Sequence, residues 1–185
     1  MDFPDLTTER LLLTKITSSD CESLYNLFSN PEVVKFYDLE PFTDTSQAEK
    51  LIALFDSRFK STSGIRWAIR MKASGQLIGT CGFNSWSEKM RHATIGYDLK
   101  PDYWNKGIST EALFEILLAA FSGILPCGAL HRIQADTIPG NVASEKVLKK
   151  LGFKEECIRR ESAYVKGQYH DMKCFGILRP EFNET

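Results

Sequence analysis

Apolar positions along the chain change period several times, and each change marks an element. Leu11 to Ile16 opens on three leucines and reads as a strand. Ser18, Ser19 and Asp20 then offer N-cap side chains for a helix to about Ser29, with Leu24, Leu27 and Phe28 on one face. Asn30-Pro31-Glu32 predicts a further short helix start, because proline is tolerated in a first turn. Thr43 to Ser46 predicts the cap of a longer helix in which Ala48, Leu51, Ile52, Phe55 and Phe59 recur at three-to-four spacing.

After Gly64 the period falls to two. Ile65, Trp67, Ile69 and Met71 alternate with other positions, and Ala73 to Gln76 turns the chain into a second strand, Leu77 to Trp86. Arg91 to Leu99 predicts a third strand, stopped by Pro101, and a loop from Asp102 to Gly107 leads into a helix striped by Leu113, Ile116, Leu117, Ala120 and Phe121. Arg132 to Ile138 predicts a strand closed by Pro139-Gly140. Asn141 to Leu151 predicts a helix ending at Gly152. Phe153 to Tyr164 and Tyr169 to Leu178 predict two strands around a Lys166-Gly167 turn. The order β-α-α-β-β-β-α-β-α-β-β predicts an α/β (α+β) fold with a mixed sheet and helices on its faces. No linker, repeat or charge block interrupts the 185 residues, which predicts one domain over 1–185.

Composition narrows the function. Lys and Arg total 23 against 24 Asp and Glu, for a net charge of −1. That balance disfavours sequence-independent nucleic-acid binding and membrane-surface binding, since both depend on positive excess. The five cysteines are scattered without a C-x-x-C pair, so neither a disulfide framework nor a structural zinc site is expected. His92 and His131 show no metal-ligand spacing with Cys, Asp or Glu. The N-terminus has no basic region ahead of a long apolar run, and the expected location is the cytoplasm.

The strand-loop-helix from Ile95 to Ala112 is the most informative stretch. A strand feeding a Gly107-containing loop and then a helix exposes backbone N–H groups at the positive end of the helix dipole, which suits a phosphate or pyrophosphate. Gly107 permits close approach and Lys106 adds a cation. The alternative is an ordinary helix start capped by Ser109 or Thr110. A second stretch, Asn141 to Phe153, opens a helix with Asn141 and places Ser144 one turn on, on roughly the same face. Here the alternative is that Asn141 only caps the helix.

Taken together with Thr8-Glu-Arg-Leu-Leu-Leu13 and Asp171-Met-Lys-Cys-Phe-Gly-Ile-Leu-Arg179, these stretches resemble the GCN5-related N-acetyltransferase (GNAT) superfamily, and within it the ribosomal-protein N-terminal acetyltransferase (Rim-type) branch. The resemblance implies a mostly antiparallel sheet of about seven strands with a central splayed parallel pair, Arg91 to Leu99 beside Arg132 to Ile138. It implies acetyl-CoA as cosubstrate and no metal. The pantetheine arm would pair with backbone near Asp98 and Leu99. Amides of Asn105, Lys106, Gly107, Ile108, Ser109 and Thr110 would hold the pyrophosphate, and Asn141 would bond the pantetheine. The family loop runs Arg/Gln-x-x-Gly-x-Gly/Ala, whereas this chain has Trp104 first and Ser109 last. Many members carry a tyrosine acid seven residues after the asparagine, where this chain has Leu148; in the Rim-type branch a serine takes that role, which selects Ser144. Glu161 is the candidate base, on the strand expected beside the splay; the alternative is an ordinary surface carboxylate on that strand. Phe36, Tyr37 and Phe42 would wall an acceptor pocket or else pack in the core.

The resemblance implies acetyl transfer to a primary amine, the N-terminal α-amino group of a (ribosomal) protein or peptide, by direct attack in a ternary complex. A small-molecule amine (amino acid, polyamine or drug) is the alternative acceptor. A non-catalytic acyl-CoA-binding module is the alternative of another class. The expected partners are acetyl-CoA and an amine-bearing acceptor, with neither nucleic acid nor membrane, in a monomer or homodimer.

Overall fold

The computed structural model of the protein describes residues 2–183. One eight-stranded sheet runs in the order β1-β2-β3-β4-β5-β6-β8-β7. Its strands are β1 (Leu6–Thr7), β2 (Leu11–Lys15), β3 (Ile65–Met71), β4 (Leu77–Ser87), β5 (His92–Leu99), β6 (Arg132–Thr137), β7 (Lys154–Val165) and β8 (Gln168–Leu178). The helices are α1 (Cys21–Phe28), α2 (Thr45–Lys60), α3 (Ile108–Ser122) and α4 (Val142–Lys150). The eighth strand, beyond the seven expected, is β1; two residues are too few to show a period. The helix expected after Asn30 is instead a turn: the Asn30 side chain accepts from the Glu32 amide and its carbonyl from the Val33 amide. Among the described residues, no helix is long and apolar enough to cross a membrane.

Helices cover both sheet faces. Leu24, Leu27 and Phe28 of α1 and Ala48 of α2 pack with Ala68 and Leu77 on one side. On the other, Leu113, Ile116 and Leu117 of α3 and Leu148 of α4 join Trp67, Ile69, Ile95 and Ile133. The α2 N-terminus is closed by a capping box: Asp44 accepts from the Ser46 amide, while Gln47 accepts from the Asp44 amide. Helix α3 buries Ile108, Ala112, Leu113, Ile116, Leu117, Ala119, Ala120 and Phe121, more than one stripe. A helix apolar on most of its circumference must be covered. That requirement seats α3 deep against the sheet and brings its N-terminus beside the end of β5.

Among the described residues, only β5 and β6 run parallel, and they pair at His92↔Arg132, Ala93↔Ile133 and Thr94↔Gln134. Beyond Thr94 the strands part. Ile95 to Leu99 keep β4 as their partner, and Ala135 to Thr137 keep β8. The sheet is therefore open as a wedge between the C-terminal halves of β5 and β6. All five cysteines are free.

Candidate active site

Backbone alternation decides what β5 presents to the wedge. Lys100 donates its amide to the Ile78 carbonyl at 2.8 Å, so Lys100 and, two residues back, Asp98 face β4. Tyr97 and Leu99 face the opening. Their carbonyls are already taken: Tyr97 O accepts the Tyr37 hydroxyl at 2.8 Å, and Leu99 O accepts the Trp104 indole N–H at 2.7 Å. Their N–H groups on that side have no ladder partner, because β6 has departed. In the stretch near Asp98 and Leu99, the Tyr97 and Leu99 amides face the opening and the Asp98 backbone faces β4.

The carboxylate of Asp98 is instead buried. It forms an ion pair with Arg66 Nη2 at 2.5 Å, and it accepts from the Thr80 amide at 3.0 Å and the Thr80 hydroxyl at 2.9 Å. Burial alone would lower the Arg66 pKa, but the facing Asp98 carboxylate more than offsets it and holds the guanidinium charged. Tyr37 also meets this network, 3.4 Å from Asp98. Burial and the Asp98 charge push its phenol well above the ordinary range. Of the aromatics considered for an acceptor pocket, Phe42 packs in the α1–α2 core, while Tyr37 ties that region to β5.

The loop between β5 and α3 carries two residues in left-handed conformation, Asn105 (φ 59°) and Gly107 (φ 75°). Gly107 is the N-cap of α3, and no side chain caps the helix. Ser109 and Thr110 thus do not play the capping role that was their alternative. Among the described residues, the amides of Ile108, Ser109 and Thr110 meet no acceptor, and Glu111 N is the first to bond, to Gly107 O at 3.0 Å. Uncapped amides at the positive end of a 15-residue helix form an anion cradle. A Cβ on Gly107 would meet only Arg10 Nη2, at 3.6 Å, so the glycine is required by its φ and by what approaches from outside. Lys106 is exposed, its ammonium over the Tyr103 ring.

Three side chains, Glu111, Arg10 and Trp104, hold the loop in place, and sequence reading did not identify their roles. Glu111, in the first turn of α3, accepts from the Thr8 hydroxyl, from the Arg10 amide at 2.9 Å and from Arg10 Nε at 2.6 Å. Burial works against its charge, but these bonds hold the carboxyl below its usual range. Arg10 also donates to the Lys106 carbonyl at 3.1 Å. Trp104 bolts the loop to β5 through Leu99 O, which accounts for an indole where the family loop has Arg or Gln.

Helix α4 begins beside the end of β6. Asn141 is its N-cap, and its side-chain oxygen accepts from the Ser144 amide at 3.3 Å. The capping role is thus real, and it leaves the carboxamide NH₂ as donor. Ser144 Oγ lies 2.6 Å from the hydroxyl of Tyr97, which is also 3.1 Å from the Ser144 carbonyl. Burial raises the Tyr97 pKa to about 12, partly countered by Ser144, so the phenol stays protonated at neutral pH. Leu148 is fully buried in the core.

Glu161 is not where it was expected. The hairpin inserts β8 between β6 and β7, so β7 is the sheet edge and Glu161 lies two strands from β6. It sits at a bulge with φ 47°, exposed, its amide bonded to Asp171 Oδ1 at 2.9 Å. With Arg160 and Asp171 it lines an open recess. Among the described residues, no group of three His, Cys, Asp or Glu side chains is placed to hold a metal ion.

Residues 10–154 match the acetyltransferase (GNAT) domain family. The chain is similar to the uncharacterized N-acetyltransferase YoaA of Bacillus subtilis, at 36% identity over 96% of this chain and 98% of the relative. It is also similar to the [ribosomal protein uS5]-alanine N-acetyltransferase of Escherichia coli, at 24% identity over 96% of this chain and 92% of that one. Among solved structures, the RimL ribosomal L7/L12 alpha-N-protein acetyltransferase in complex with coenzyme A superposes with a TM-score of 0.83 at 19% identity, covering 95% of this chain and 98% of that one.

Proposed function

The chain belongs to the GNAT acetyltransferase family and is an acetyl-CoA-dependent N-acetyltransferase; from that premise we propose that its acceptor is the α-amino group of a protein or peptide. The observation that carries the site is the conjunction of an uncapped α3 N-terminus with a wedge whose free amides lie on β5. The relatives that act on ribosomal-protein N-termini support the acceptor class.

In this reading the amides from Asn105 to Thr110 hold the pyrophosphate, with Lys106 adding charge. The N–H groups of Tyr97 and Leu99, with the Asn141 carboxamide NH₂, orient the pantetheine. Bound acetyl-CoA supplies a thioester, and the amine attacks its acyl carbon. As the C–S bond breaks, the Ser144 hydroxyl donates its proton to the departing sulfur and regains one from the nitrogen of the tetrahedral intermediate, which sheds it to become the amide. Tyr97 bears on this directly. When its O–H donates to Ser144 Oγ, the serine hydrogen is turned away from the phenol and toward the opening. The acceptor arrives as an ammonium and must lose a proton first. That proton passes to solvent, since Glu161 stands on the edge strand with β8 between it and β6. The reading places the reaction in the reducing cytoplasm, supported by five unbridged thiols.

Gly107→Val should weaken CoA binding by about tenfold, since a β-branched residue at positive φ is strained and its side chain stands where phosphate approaches. Lys106→Ala should cost about two- to threefold, as expected of one exposed charge. Calorimetric titration with CoA checks both; unchanged affinity for Gly107→Val would remove the cradle from this loop. The acceptor class is tested by free-thiol release from acetyl-CoA with N-terminal peptides, amino acids and polyamines at equal concentration. Peptides bearing a free α-amine should turn over fastest. Higher kcat/KM for a polyamine or free amino acid would replace the acceptor assignment.

A further inference from the structure

Thr137 is the last residue of β6 and is 5% exposed, yet its hydroxyl has no hydrogen-bond partner among the described residues. Buried hydroxyls in folded proteins are nearly always bonded, so an orphan calls for a partner from outside the chain. Its surroundings give none. Its register partner on β8, Lys173, bonds Glu145 at 2.9 Å, and the carboxylate of neighbouring Asp136 is held by Arg159 Nη2 at 2.5 Å.

The position of the orphan matters more than its burial. Ile133 and Ala135 of β6 face the core shared with α3 and α4, and Thr137 follows at the same period. On β5 the matching series is Ala93, Ile95 and Tyr97. Continuing the parallel register three residues past Thr94↔Gln134 sets Thr137 level with Tyr97, on the opposite wall of the wedge. Three hydroxyls thus belong to one level of the opening: Tyr97 from β5, Ser144 from α4 and Thr137 from β6. Tyr97 and Ser144 bond each other. Of the three, Thr137 alone makes no hydrogen bond. A donor in an otherwise apolar wall suits a hydrogen-bond acceptor.

We propose that the Thr137 hydroxyl is a further binding contact for the thioester end of acetyl-CoA, donating to its sulfur or its acyl oxygen. The assignment rests on the acetyl-CoA reading above and adds a residue to the β6 wall, which otherwise contributes none. It predicts two changes of opposite sign in Thr137→Val, which keeps the shape and removes the hydroxyl. The free protein should become more stable, its melting temperature rising by about 2–4 °C, because a buried unbonded polar group is gone. Affinity for the cosubstrate should fall about fivefold, the size of one hydrogen bond. Thr137→Ser, which keeps the donor, should restore affinity.

The test is calorimetric titration of both variants with CoA and with acetyl-CoA, alongside thermal unfolding of the free proteins. A fivefold loss with both ligands assigns the sulfur; a loss with acetyl-CoA alone assigns the acyl oxygen. Unchanged affinity of the valine variant for both ligands would overturn the contact. A valine variant that melts lower and binds normally would also overturn it, by showing that a structural water had satisfied the hydroxyl. If the wild-type protein bound no CoA, the acetyl-CoA reading itself would fall; if only the valine variant were unaffected, that reading would stand without this contact.

Discussion

Replacing Asp98 with alanine is expected to lower the unfolding free energy by about 3–5 kcal/mol, the cost of breaking a buried ion pair from one side. The side chains of Arg66 and Asp98 are 6% and 1% exposed, and the alanine would leave the guanidinium charged in the core. Thr80 would also lose its acceptor for both amide and hydroxyl. Phe55, whose ring centroid is 5.7 Å from the guanidinium, gives a weak cation–π contact that does not replace a carboxylate. Removing both charges behaves differently. Arg66→Met with Asp98→Leu keeps an apolar volume and leaves neither charge stranded, so the double variant should be more stable than Asp98→Ala. Urea unfolding measures both; a loss below about 1 kcal/mol for Asp98→Ala would show that water reaches the pair. The position also matters to function. Asp98 lies between Tyr97 and Leu99, whose amides face the wedge, so the pair that fixes this stretch of β5 also fixes the wall that the proposed function gives to the cosubstrate.

The second large effect concerns the hydroxyl pair. Ser144→Ala should lower kcat by about 10²-fold while leaving CoA affinity nearly unchanged, the pattern of an interaction made only in the transition state. Tyr97→Phe should also lower kcat, by less, because it removes the bond that turns the serine hydrogen and leaves the donor itself. The two hydroxyls lie 2.6 Å apart, and the Tyr97 hydroxyl also reaches the Ser144 carbonyl at 3.1 Å, so the changes fall in one local network. The double variant should therefore be little worse than Ser144→Ala alone. Single-turnover thiol release isolates the chemical step. Full activity in Ser144→Ala would transfer the acid role to water. Strictly additive losses would show that Tyr97 and Ser144 act independently.

The element order was readable because α1, α2 and α4 carry one apolar stripe each and β3 places Ile65, Trp67, Ile69 and Met71 at every second position. What the sequence did not reveal depended on neighbours distant in the chain. Glu111 is held by Thr8 and Arg10, about a hundred positions earlier, so its place in the first turn of α3 looked like ordinary helix polarity. Tyr97 and Ser144 are 47 residues apart and meet only because β5 and α4 flank one opening. Thr137 had no pattern at all; its interest lies in a bond it does not make. Glu161 went astray through topology. A C-terminal hairpin can add to a sheet by either strand, and nothing in the alternation of β7 or β8 shows that β8 lies against β6. The cradle loop was legible in place and in its glycine, but the φ of Asn105 and the indole bolt from Trp104 were not.

The most direct test of the central claim, that this wedge and cradle bind acetyl-CoA for transfer to an amine, is thiol release by the full chain. Purified protein is mixed with acetyl-CoA, with and without α-amino peptides and small amines, and wild type is compared with Gly107→Val. The account predicts amine-dependent release of one thiol per acetylated acceptor, with the Gly107→Val rate falling in proportion to its CoA affinity at low acetyl-CoA. Tight CoA binding by the wild type without thiol release for any amine would contradict it and leave an acyl-CoA-binding module.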